Sequence, residues 1–531
     1  MKRISVVKKF LITVWGNPWI VYSSSDKHVK YRWERVKYVY RDLMLEREYR
    51  TTLPILLEAL KPEETLIVVP ETVTYELISD YKELRNHTYK IYKEFVEKIC
   101  EIRSNRVNIA VLPSSGRYVN RYIDENGVER SLRVEVYGSP LNYMYAFALN
   151  VGSVLEELLI ESSRTGISTL EVYLDISHGV NFMPVSARAV LQSLLSAIGT
   201  FMDVKLAVLN SEPVIGESVG EVSILEIEDR EPLIPEQLSF TGLKDLKLNQ
   251  ATSTPEFLLR PFKEAIKTTD EEREIIEKTS EVFFTKIVPK DKLSDLLAFA
   301  AALQYLLPLW IFYFKFQLSE VEAGRPILTL KNCLENLFEK FTKVEVKEKS
   351  NSSTLQIMHK ASIGESALDI VKVFLALHTL TAIGYEGAEE VVLGELKLEK
   401  LKHKKMPGIF KHYTHRIGYD VGDIVSKIVT LCKRGVLPCE KKIYVLKEII
   451  LKTTREEKQE KDLDKACEYT EREPKKLARH LAAHSGLEHC TVEIVLETSP
   501  KNENIAEKEV KVRPRSDKIE FVKKTLETEL L

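Results

Sequence analysis

The sequence predicts an α/β domain with a doubly wound parallel sheet, followed by two mainly helical domains. In the first 230 residues, short continuous apolar runs alternate with longer stretches of helical periodicity. Continuous apolar runs are typical of parallel strands that are covered on both faces. After residue 230 one helical pattern follows another, and several prolines between residues 232 and 261 mark a boundary. These observations predict an α/β domain at 1–230, an all-α connector at 231–354 and a mainly α domain at 355–531.

The composition is that of a globular protein with nearly balanced charge. A chain of 531 residues is long enough for two or three domains with buried cores. The formal net charge of -2 excludes a generally basic protein that coats nucleic acid, so any RNA contact must come from a local patch. The cysteines form no Cys-x-x-Cys pair, so we expect neither a zinc knuckle nor a disulfide framework. They are Cys100, Cys333, Cys432, Cys439, Cys467 and Cys490.

The sequence predicts a soluble, cytoplasmic protein without a membrane partner. The N-terminus leads straight into a predicted strand, and no signal peptide is indicated. The apolar run Leu296–Phe314 is just long enough to span a bilayer, but it contains Gln304 and Pro308 and lacks basic-flank asymmetry. We therefore interpret this run as a buried core helix or a dimer-interface helix.

The N-terminal domain is predicted to be Rossmann-like, because strands and helices alternate through it. Its strands are predicted at Phe10–Trp15, Leu66–Pro70, Val107–Pro113, Leu170–Ile176, Val204–Asn210 and Val222–Ile227. Its helices are predicted at Leu43–Leu60, Val73–Arg103, Leu141–Ile160 and Pro184–Ile198. The charged segment Tyr118–Tyr137, with a turn at Glu125-Asn126-Gly127, is predicted to be exposed.

The rest of the chain is predicted to be helical except for one loop and one hairpin. Ser350-Asn351-Ser352-Ser353 reads as a loop. The predicted helices are Pro326–Phe341, Ser366–Ala382, a helix from about Asp462 or Pro474 to His484, and Lys518–Leu530. Asp423–Cys432 and Tyr444–Leu451 are further apolar segments of this mainly helical part. Thr491–Leu496 and Lys508–Val512 alternate like the strands of a hairpin.

Two predicted strand ends carry polar, glycine-containing loops. Gly16, Asn17 and Pro18 follow the first strand, and Ser177, His178, Gly179 and Asn181 follow the fourth. Ligands of doubly wound sheets bind at the carboxyl ends of the strands, where glycine lets backbone N–H groups approach a phosphate. No Gly-x-Gly-x-x-Gly is present, so we do not expect a dinucleotide cofactor. The alternative is turn chemistry, which uses the same residue types.

A second candidate site lies on a predicted helix near the C-terminal end. Arg479, His480 and His484 lie within six residues, and Ser485-Gly486 is predicted to stop the helix. Arginine binds phosphate, and imidazole moves protons near neutral pH, so these groups could cleave a phosphodiester without a metal. The alternatives are a surface ion pair for Arg479, simple packing of the histidines, or a metal site at His480 and His484, although the Glu of a His-Glu-x-x-His arrangement is missing.

Helix geometry constrains this second site. Each residue of an α-helix turns by about 100°, so His480 and His484 share a face, whereas Arg479 and His484 lie about 140° apart. One straight helix therefore does not aim Arg479 and His484 at the same phosphate. A twofold dimer in which two copies of the helix meet would do so, as could a deformed last turn before Gly486.

Both motifs resemble those of known families. Asp175-Ile176-Ser177-His178-Gly179-Val180-Asn181 resembles the strand-end motif of CRISPR-associated Rossmann-fold (CARF) domains, and Arg479-His480-Leu481-Ala482-Ala483-His484 resembles the Arg-x(4–6)-His motif of HEPN ribonucleases. A CARF domain, a helical connector and a HEPN domain in this order resemble the ancillary ribonucleases of type III CRISPR systems, in particular the archaeal Csx-type members. Many HEPN members carry Asn where this chain has His480.

The resemblance implies a regulated ribonuclease that needs no cofactor or metal. It implies that two CARF domains pair and bind cyclic oligoadenylate, either tetra- or hexa-adenylate, as an allosteric activator. Gly16, Asn17, Pro18, Ser177, His178, Gly179 and Asn181 match the ligand-binding loops. It also implies that Arg479, His480 and His484 of a homodimer, or of a larger assembly, cleave single-stranded RNA to a 2′,3′-cyclic phosphate. The open alternatives are a CARF regulator without nuclease activity, a ring nuclease, and a HEPN toxin that is independent of any messenger.

Overall fold

The structure is a computed structural model, and it describes most of the chain. The described residues are 7–23, 28–165, 169–180, 182–213, 220–231, 233, 235–243, 259–261, 283–349, 352–385, 387–393, 396, 408–434, 442–453, 467–496 and 510–531. They group into two compact units, each described by itself. The first unit comprises Met1–Leu233, Asp245–Phe283 and Ile327–Ile383, and the second comprises Ile234–Lys244, Phe284–Pro326 and Gly384–Leu531.

The strands and helices are numbered in chain order. The strands are β1 (Val7–Val14), β2 (Trp19–Val21), β3 (Lys30–Tyr31), β4 (Lys37–Tyr40), β5 (Leu43–Met44), β6 (Glu64–Pro70), β7 (Asn108–Leu112), β8 (Gly116–Ile123), β9 (Glu129–Tyr137), β10 (Thr169–Asp175), β11 (Asp203–Ser211), β12 (Glu221–Arg230), β13 (Leu259–Pro261), β14 (Thr342–Lys349), β15 (Ser352–His359), β16 (Ala361–Ile363), β17 (Val391–Val392), β18 (Lys442–Val445), β19 (Val492–Leu496) and β20 (Val510–Pro514). The α-helices are α1 (Leu53–Leu60), α2 (Tyr81–Glu94), α3 (Leu141–Thr165), α4 (Phe182–Gly199), α5 (Leu293–Gln304), α6 (Pro308–Gln317), α7 (Ser319–Glu322), α8 (Pro326–Lys340), α9 (Glu365–Ala382), α10 (Gly408–Lys433), α11 (Leu446–Thr453), α12 (Tyr469–Arg472), α13 (Pro474–Ala483) and α14 (Ile519–Thr525).

The first unit is organised around a sheet with the strand order β5-β4-β12-β11-β10-β1-β6-β7. β1 pairs in parallel with both β10 and β6, and β11 and β7 continue the parallel arrangement on either side. The chain runs outward from β1 through β6 to β7, and then returns to β10 on the other side of β1. The switch point of the sheet therefore lies between β1 and β10. This order confirms the predicted doubly wound N-terminal sheet.

Two predicted helices in the first unit begin later than expected. Leu43–Leu60 was predicted as one helix, but Leu43 and Met44 form an edge strand and α1 begins at Leu53. A proline in the first turn suits this start, because its missing N–H has no partner there anyway. Similarly, α2 begins at Tyr81 because the Asp80 side chain caps it by accepting from the Glu83 N–H at 2.8 Å.

The exposed segment at 118–137 folds as a hairpin that joins a second sheet. β8 and β9 pair antiparallel, and β9 pairs in parallel with β15, which in turn pairs with β14. The strand at Thr342–Lys349 shows that the prediction of an all-helical connector was wrong. Ser352 and Ser353, predicted as loop, begin β15, whereas Ser350 and Asn351 lie outside the described residues.

The segment 327–383 belongs to the first unit, although the predicted boundaries at 230 and 354 divide it between the connector and the last domain. Its helix α9 is buried over nearly its whole length and packs along α3. A side chain at Gly152 of α3 would meet Val371 Cγ1 at 2.6 Å, so the glycine allows the two helices to approach closely. Because α9 is buried on all sides, it forms part of the core of the first unit.

Long apolar helices in this protein are core elements. The segments Leu141–Arg164 and Phe182–Gly199 are long and apolar enough to cross a membrane, but 72% and 61% of their apolar windows are buried inside the protein. The run Leu296–Phe314, predicted as one helix, is two helices, α5 and α6. Between them, Leu306 has a φ of 49°. Pro308 has no backbone N–H to continue the hydrogen bonds of the first helix, so it begins the second.

The second unit combines helices with a small antiparallel sheet of the order β17-β20-β19-β18. β19 and β20 confirm the predicted C-terminal hairpin, although residues 497–509 between them lie outside the described residues. The apolar segment Tyr444–Leu451, which lies in the part predicted to be mainly helical, is a strand up to Val445 and a helix from Leu446. The second unit is therefore less helical than the sequence predicted.

Candidate ligand-binding and catalytic sites

The two predicted ligand loops meet at the switch point of the sheet. β1 and β10 are neighbours, and the Gly16 N–H donates to the His178 carbonyl at 2.8 Å across their ends. A Cβ at Gly16 would lie 1.9 Å from Val180 Cγ2, so only glycine fits this crossing without a shift. Likewise, a Cβ at Gly179 would lie 2.3 Å from Pro184 Cγ. Both glycines therefore hold the loops close together.

The hydroxyl of Ser177 is used within the turn. It donates to Asp175 Oδ1 at 2.6 Å and accepts from the Ser211 N–H at 2.8 Å. The other oxygen of the buried Asp175 accepts from Thr13 and Thr52 at 2.9 and 2.6 Å. Turn chemistry, the alternative that the sequence left open, thus describes the Ser177 side chain, and the loop shape is fixed by Asp175.

The imidazole of His178 lies among aromatic rings. Its ring centroid is 4.4 Å from that of Trp33 and 6.4 Å from that of Tyr38. Burial lowers the pKa of His178 to about 4, although Asp175 opposes this. Its Nε2 is buried and has no hydrogen-bond partner among the described residues. His178 is therefore neutral at pH 7.

Asn17 fixes the first loop through both ends of its amide. Its oxygen accepts from the Trp19 N–H at 2.9 Å and from the Tyr75 hydroxyl at 3.0 Å, and its nitrogen donates to Asn120 at 3.1 Å. The Pro18 carbonyl accepts from the Arg32 N–H at 2.8 Å. Asn181, the last predicted ligand residue, lies outside the described residues. The side chains of Asn17 and Ser177 thus shape the two loops.

In the second unit, α13 carries the Arg-His motif and ends where predicted. The helix runs from Pro474 to Ala483, and Ser485 and Gly486 have φ values of 50° and 85°. The Gly486 N–H donates to the Leu481 carbonyl at 2.8 Å, as at a helix end that closes with a left-handed residue. His484 therefore stands at the helix terminus.

The structure brings the two motif histidines together and directs the arginine elsewhere. The ring centroids of His480 and His484 are 6.4 Å apart, and His480 also lies 5.3 Å from the Tyr469 ring. Arg479 is exposed, and its Nε donates to the Lys475 carbonyl at 3.3 Å. Within the described part of the chain, no hydrogen bond or ring contact joins Arg479 to either histidine. This agrees with the helix geometry, which separates Arg479 from His484.

The surroundings of His484 favour its neutral form. Partial burial lowers its pKa, and the positive charge of Arg416 and the neighbouring His480 lower it further, whereas Glu488 raises it. Arg416 comes from α10.

The described residues include no group of three or more His, Cys, Asp or Glu side chains placed to hold a metal ion.

Sequence reasoning missed several features around α13. Cys467 and Cys490 form a disulfide with a Cα–Cα distance of 5.5 Å, a single cross-link that the cysteine spacing did not indicate. The fold brings Cys467, two residues before α12, beside the loop after α13, and a separation of 23 residues carries no sequence signal. His489 lies beside His484, and the buried Glu488 accepts from the Tyr469 hydroxyl. No periodic pattern marks these residues, since they follow the helix end.

The fold and the loops define the class of the first unit. A doubly wound sheet with two glycine-containing loops at its switch point is a Rossmann-like ligand-binding domain. Residues 10–213 match the family described as "CRISPR system endoribonuclease Csx1, CARF domain". The N-terminal domain of this chain is therefore a CARF domain of the Csx1 kind.

A curated relative agrees with this assignment. The chain is 26% identical over 223 residues to the CRISPR system endoribonuclease Csx1 of Methanocaldococcus jannaschii. The match covers 42% of this chain and spans only 41% of the relative's length.

Proposed function

We propose that this protein is a cyclic oligoadenylate-activated, metal-independent endoribonuclease of the HEPN type, which cleaves single-stranded RNA in type III CRISPR antiviral defence. The match of residues 10–213 to the Csx1 CARF domain carries the proposal, because CARF domains sense cyclic oligoadenylate and the matched relative is named an endoribonuclease. The motif at the end of α13 adds groups that suit phosphodiester cleavage.

Each of the three motif residues has its own role in the proposed cleavage. His484, at the helix end, transfers a proton, either from the attacking 2′-hydroxyl or to the departing 5′-oxygen. Arg479 stabilises the negative charge that develops on the phosphorane, and His480 orients the site from the same face as His484. The 2′-oxygen forms a bond to phosphorus as the bond to the 5′-oxygen breaks. One product therefore ends in a 2′,3′-cyclic phosphate and the other in a 5′-hydroxyl.

The active form is proposed to be a homodimer or a larger assembly of homodimers. Arg479 is exposed and separate from His484 in one copy, so a second copy is needed to supply an arginine to the phosphate that His484 contacts. A symmetric ring of phosphates also suits two copies of the Gly16 and Ser177 loops. The rival ring-nuclease function has less support, because the Ser177 hydroxyl is already bonded on both sides.

Gly16→Ala is expected to weaken the binding of cyclic tetra- or hexa-adenylate at least about tenfold, which is ~1.4 kcal/mol. The new Cβ would meet Val180 at 1.9 Å and push the two loops apart. Isothermal titration calorimetry with each ring gives the affinity. Gly220→Ala is the matched control, since a Cβ there meets nothing within 4 Å. Equal affinities for both variants would contradict the placement of the ligand at these loops.

Product ends test the proposed reaction most simply. A single-stranded RNA with a 5′ label is incubated with the protein in EDTA, and the fragments are analysed by mass spectrometry. We expect 2′,3′-cyclic phosphate and 5′-hydroxyl ends. Fragments with 5′-phosphate ends would contradict the imidazole chemistry, because they require water or hydroxide to attack phosphorus.

A further inference from the structure

A third histidine, outside the Arg-His motif, lies at the proposed catalytic centre. The ring centroid of His489 is 4.8 Å from that of His484, with the ring planes inclined by 41°. This is closer than the 6.4 Å between His480 and His484. In one copy of the chain, the nearer imidazole neighbour of His484 is therefore His489 and not the other motif histidine.

The backbone around His489 is held on both sides. Its carbonyl accepts from the Lys447 N–H at 2.8 Å, at the start of α11. The next residue, Cys490, forms the disulfide with Cys467, and its N–H donates to Glu488 Oε2 at 2.9 Å. The backbone around His489 is thus fixed to the start of α11 and, through the disulfide, to the segment before α12.

The imidazoles of His484 and His489 are available to a substrate. Both side chains are half-buried, and neither ring is hydrogen-bonded to any residue that the structure describes. Their ring nitrogens are not buried without a partner, as the Nε2 of His178 is, and so they are accessible from the surface. Two open imidazoles at this separation can reach the two oxygens on either side of one phosphorus atom.

The geometry points to His489 as a second catalytic residue, which acts as the general base while His484 acts as the general acid. This inference rests on the proposed ribonuclease function and names a further group of the same site. His489 removes the proton from the 2′-hydroxyl, the O2′–P bond forms, and the P–O5′ bond breaks. His484 gives its proton to the departing 5′-oxygen. After the step His489 is protonated and His484 is neutral, and proton exchange with solvent returns both to their starting states.

The electrostatics favour the neutral form of both imidazoles, so His489 is ready to act as the base, whereas His484 must take up a proton before it acts as the acid. Burial lowers the pKa of His489 to about 4, and the charges of His484, Lys447, Lys427 and His480 act in the same direction. The pKa of His484 is also lowered, by burial, Arg416 and His480, with Glu488 opposing. His489 is therefore neutral, as a base must be. The nearby lysines and Arg416 offer positive charge to an incoming phosphodiester.

A substrate with a sulfur leaving group separates the two roles. RNA with a 5′-bridging phosphorothiolate has a leaving group that needs no proton, so the loss of a general acid no longer slows its cleavage. On ordinary RNA, we expect His489→Ala and His484→Ala each to lower the single-turnover rate about 100-fold to 10,000-fold. On the phosphorothiolate, we expect His484→Ala to regain most of the wild-type rate and His489→Ala to stay slow.

Two further variants separate catalysis from folding. His489→Gln preserves the size and polarity of the side chain but cannot act as a base, so we expect it to be as slow as His489→Ala and to melt at the wild-type temperature. Lys475→Ala, on the exposed side of α13, should cleave at the wild-type rate. If His489→Gln cleaves ordinary RNA within about twofold of wild type, or if the phosphorothiolate rescues His489→Ala, the inference is overturned. If the wild type cleaves no RNA, the proposed function itself fails.

The pH profile provides an independent readout. If His484 is the acid, kcat/KM falls as the pH rises past its lowered pKa, since the free enzyme then loses the proton that it must give. Arg416→Gln removes a positive charge that lowers this pKa, so we expect the alkaline limb to move to higher pH. An unmoved limb in Arg416→Gln would contradict the role of His484 as the acid.

Discussion

His484→Ala is expected to slow the cleavage of single-stranded RNA about 100-fold to 10,000-fold, the range that one general acid or base contributes. His484 stands at the end of α13, with its imidazole half-buried and its neutral form favoured by Arg416 and His480. Truncating it removes a proton-transfer group but leaves the helix end intact, because the left-handed Ser485 and Gly486 close that end.

The measurement for His484→Ala is the single-turnover rate at saturating activator, together with the melting temperature. Arg479→Ala should show a comparable loss, whereas Arg472→Ala is the matched control, since Arg472 is exposed and pairs with Glu468 one turn earlier. A wild-type rate in His484→Ala would show that the motif is not the catalytic site.

Cys467→Ser is expected to lower the free energy of unfolding of the second unit by about 3 kcal/mol under oxidising conditions. The disulfide closes a loop with a sequence separation of 23 residues, and a cross-link of that length restricts the unfolded chain by roughly this amount. The loop contains α12 and α13, and the bond also anchors Cys490 next to His489. We therefore expect RNA cleavage to weaken together with stability.

Denaturant unfolding with and without dithiothreitol measures this effect. In the reducing buffer, the difference between wild type and Cys467→Ser should disappear, because both then lack the bond. Cys333→Ser, at a cysteine outside the disulfide, is the matched control and should behave as wild type in both buffers. Equal stabilities of wild type and Cys467→Ser in oxidising buffer would show that the bond does not form.

Local chemistry allowed much of the first unit to be predicted from sequence. The buried parallel strands read as apolar runs, and the polar loops at Gly16 and Ser177 lie together because the carboxyl ends of adjacent parallel strands share one edge. The stop at Gly486 was also predicted, since a glycine after a helix closes it. These features depend on residues that are near one another in the sequence or on a regular sheet.

Long-range contacts could not be predicted in the same way. The pairing of β15 with β9 joins residues more than two hundred positions apart, so the boundary at 354 fell inside a compact unit. The Cys467–Cys490 bond and the position of His489 also depend on how the chain returns after α13. No spacing or periodicity encodes such contacts, since they arise from packing between elements.

The central claim is that a ring bound by the CARF domain switches on RNA cleavage by the second unit. The most direct measurement is the initial rate of cleavage of single-stranded RNA in EDTA, with and without cyclic tetra-adenylate or cyclic hexa-adenylate. We predict rapid cleavage with one of the rings and a rate near background without it. Equal rates with and without either ring, or cleavage that EDTA abolishes, would contradict the claim.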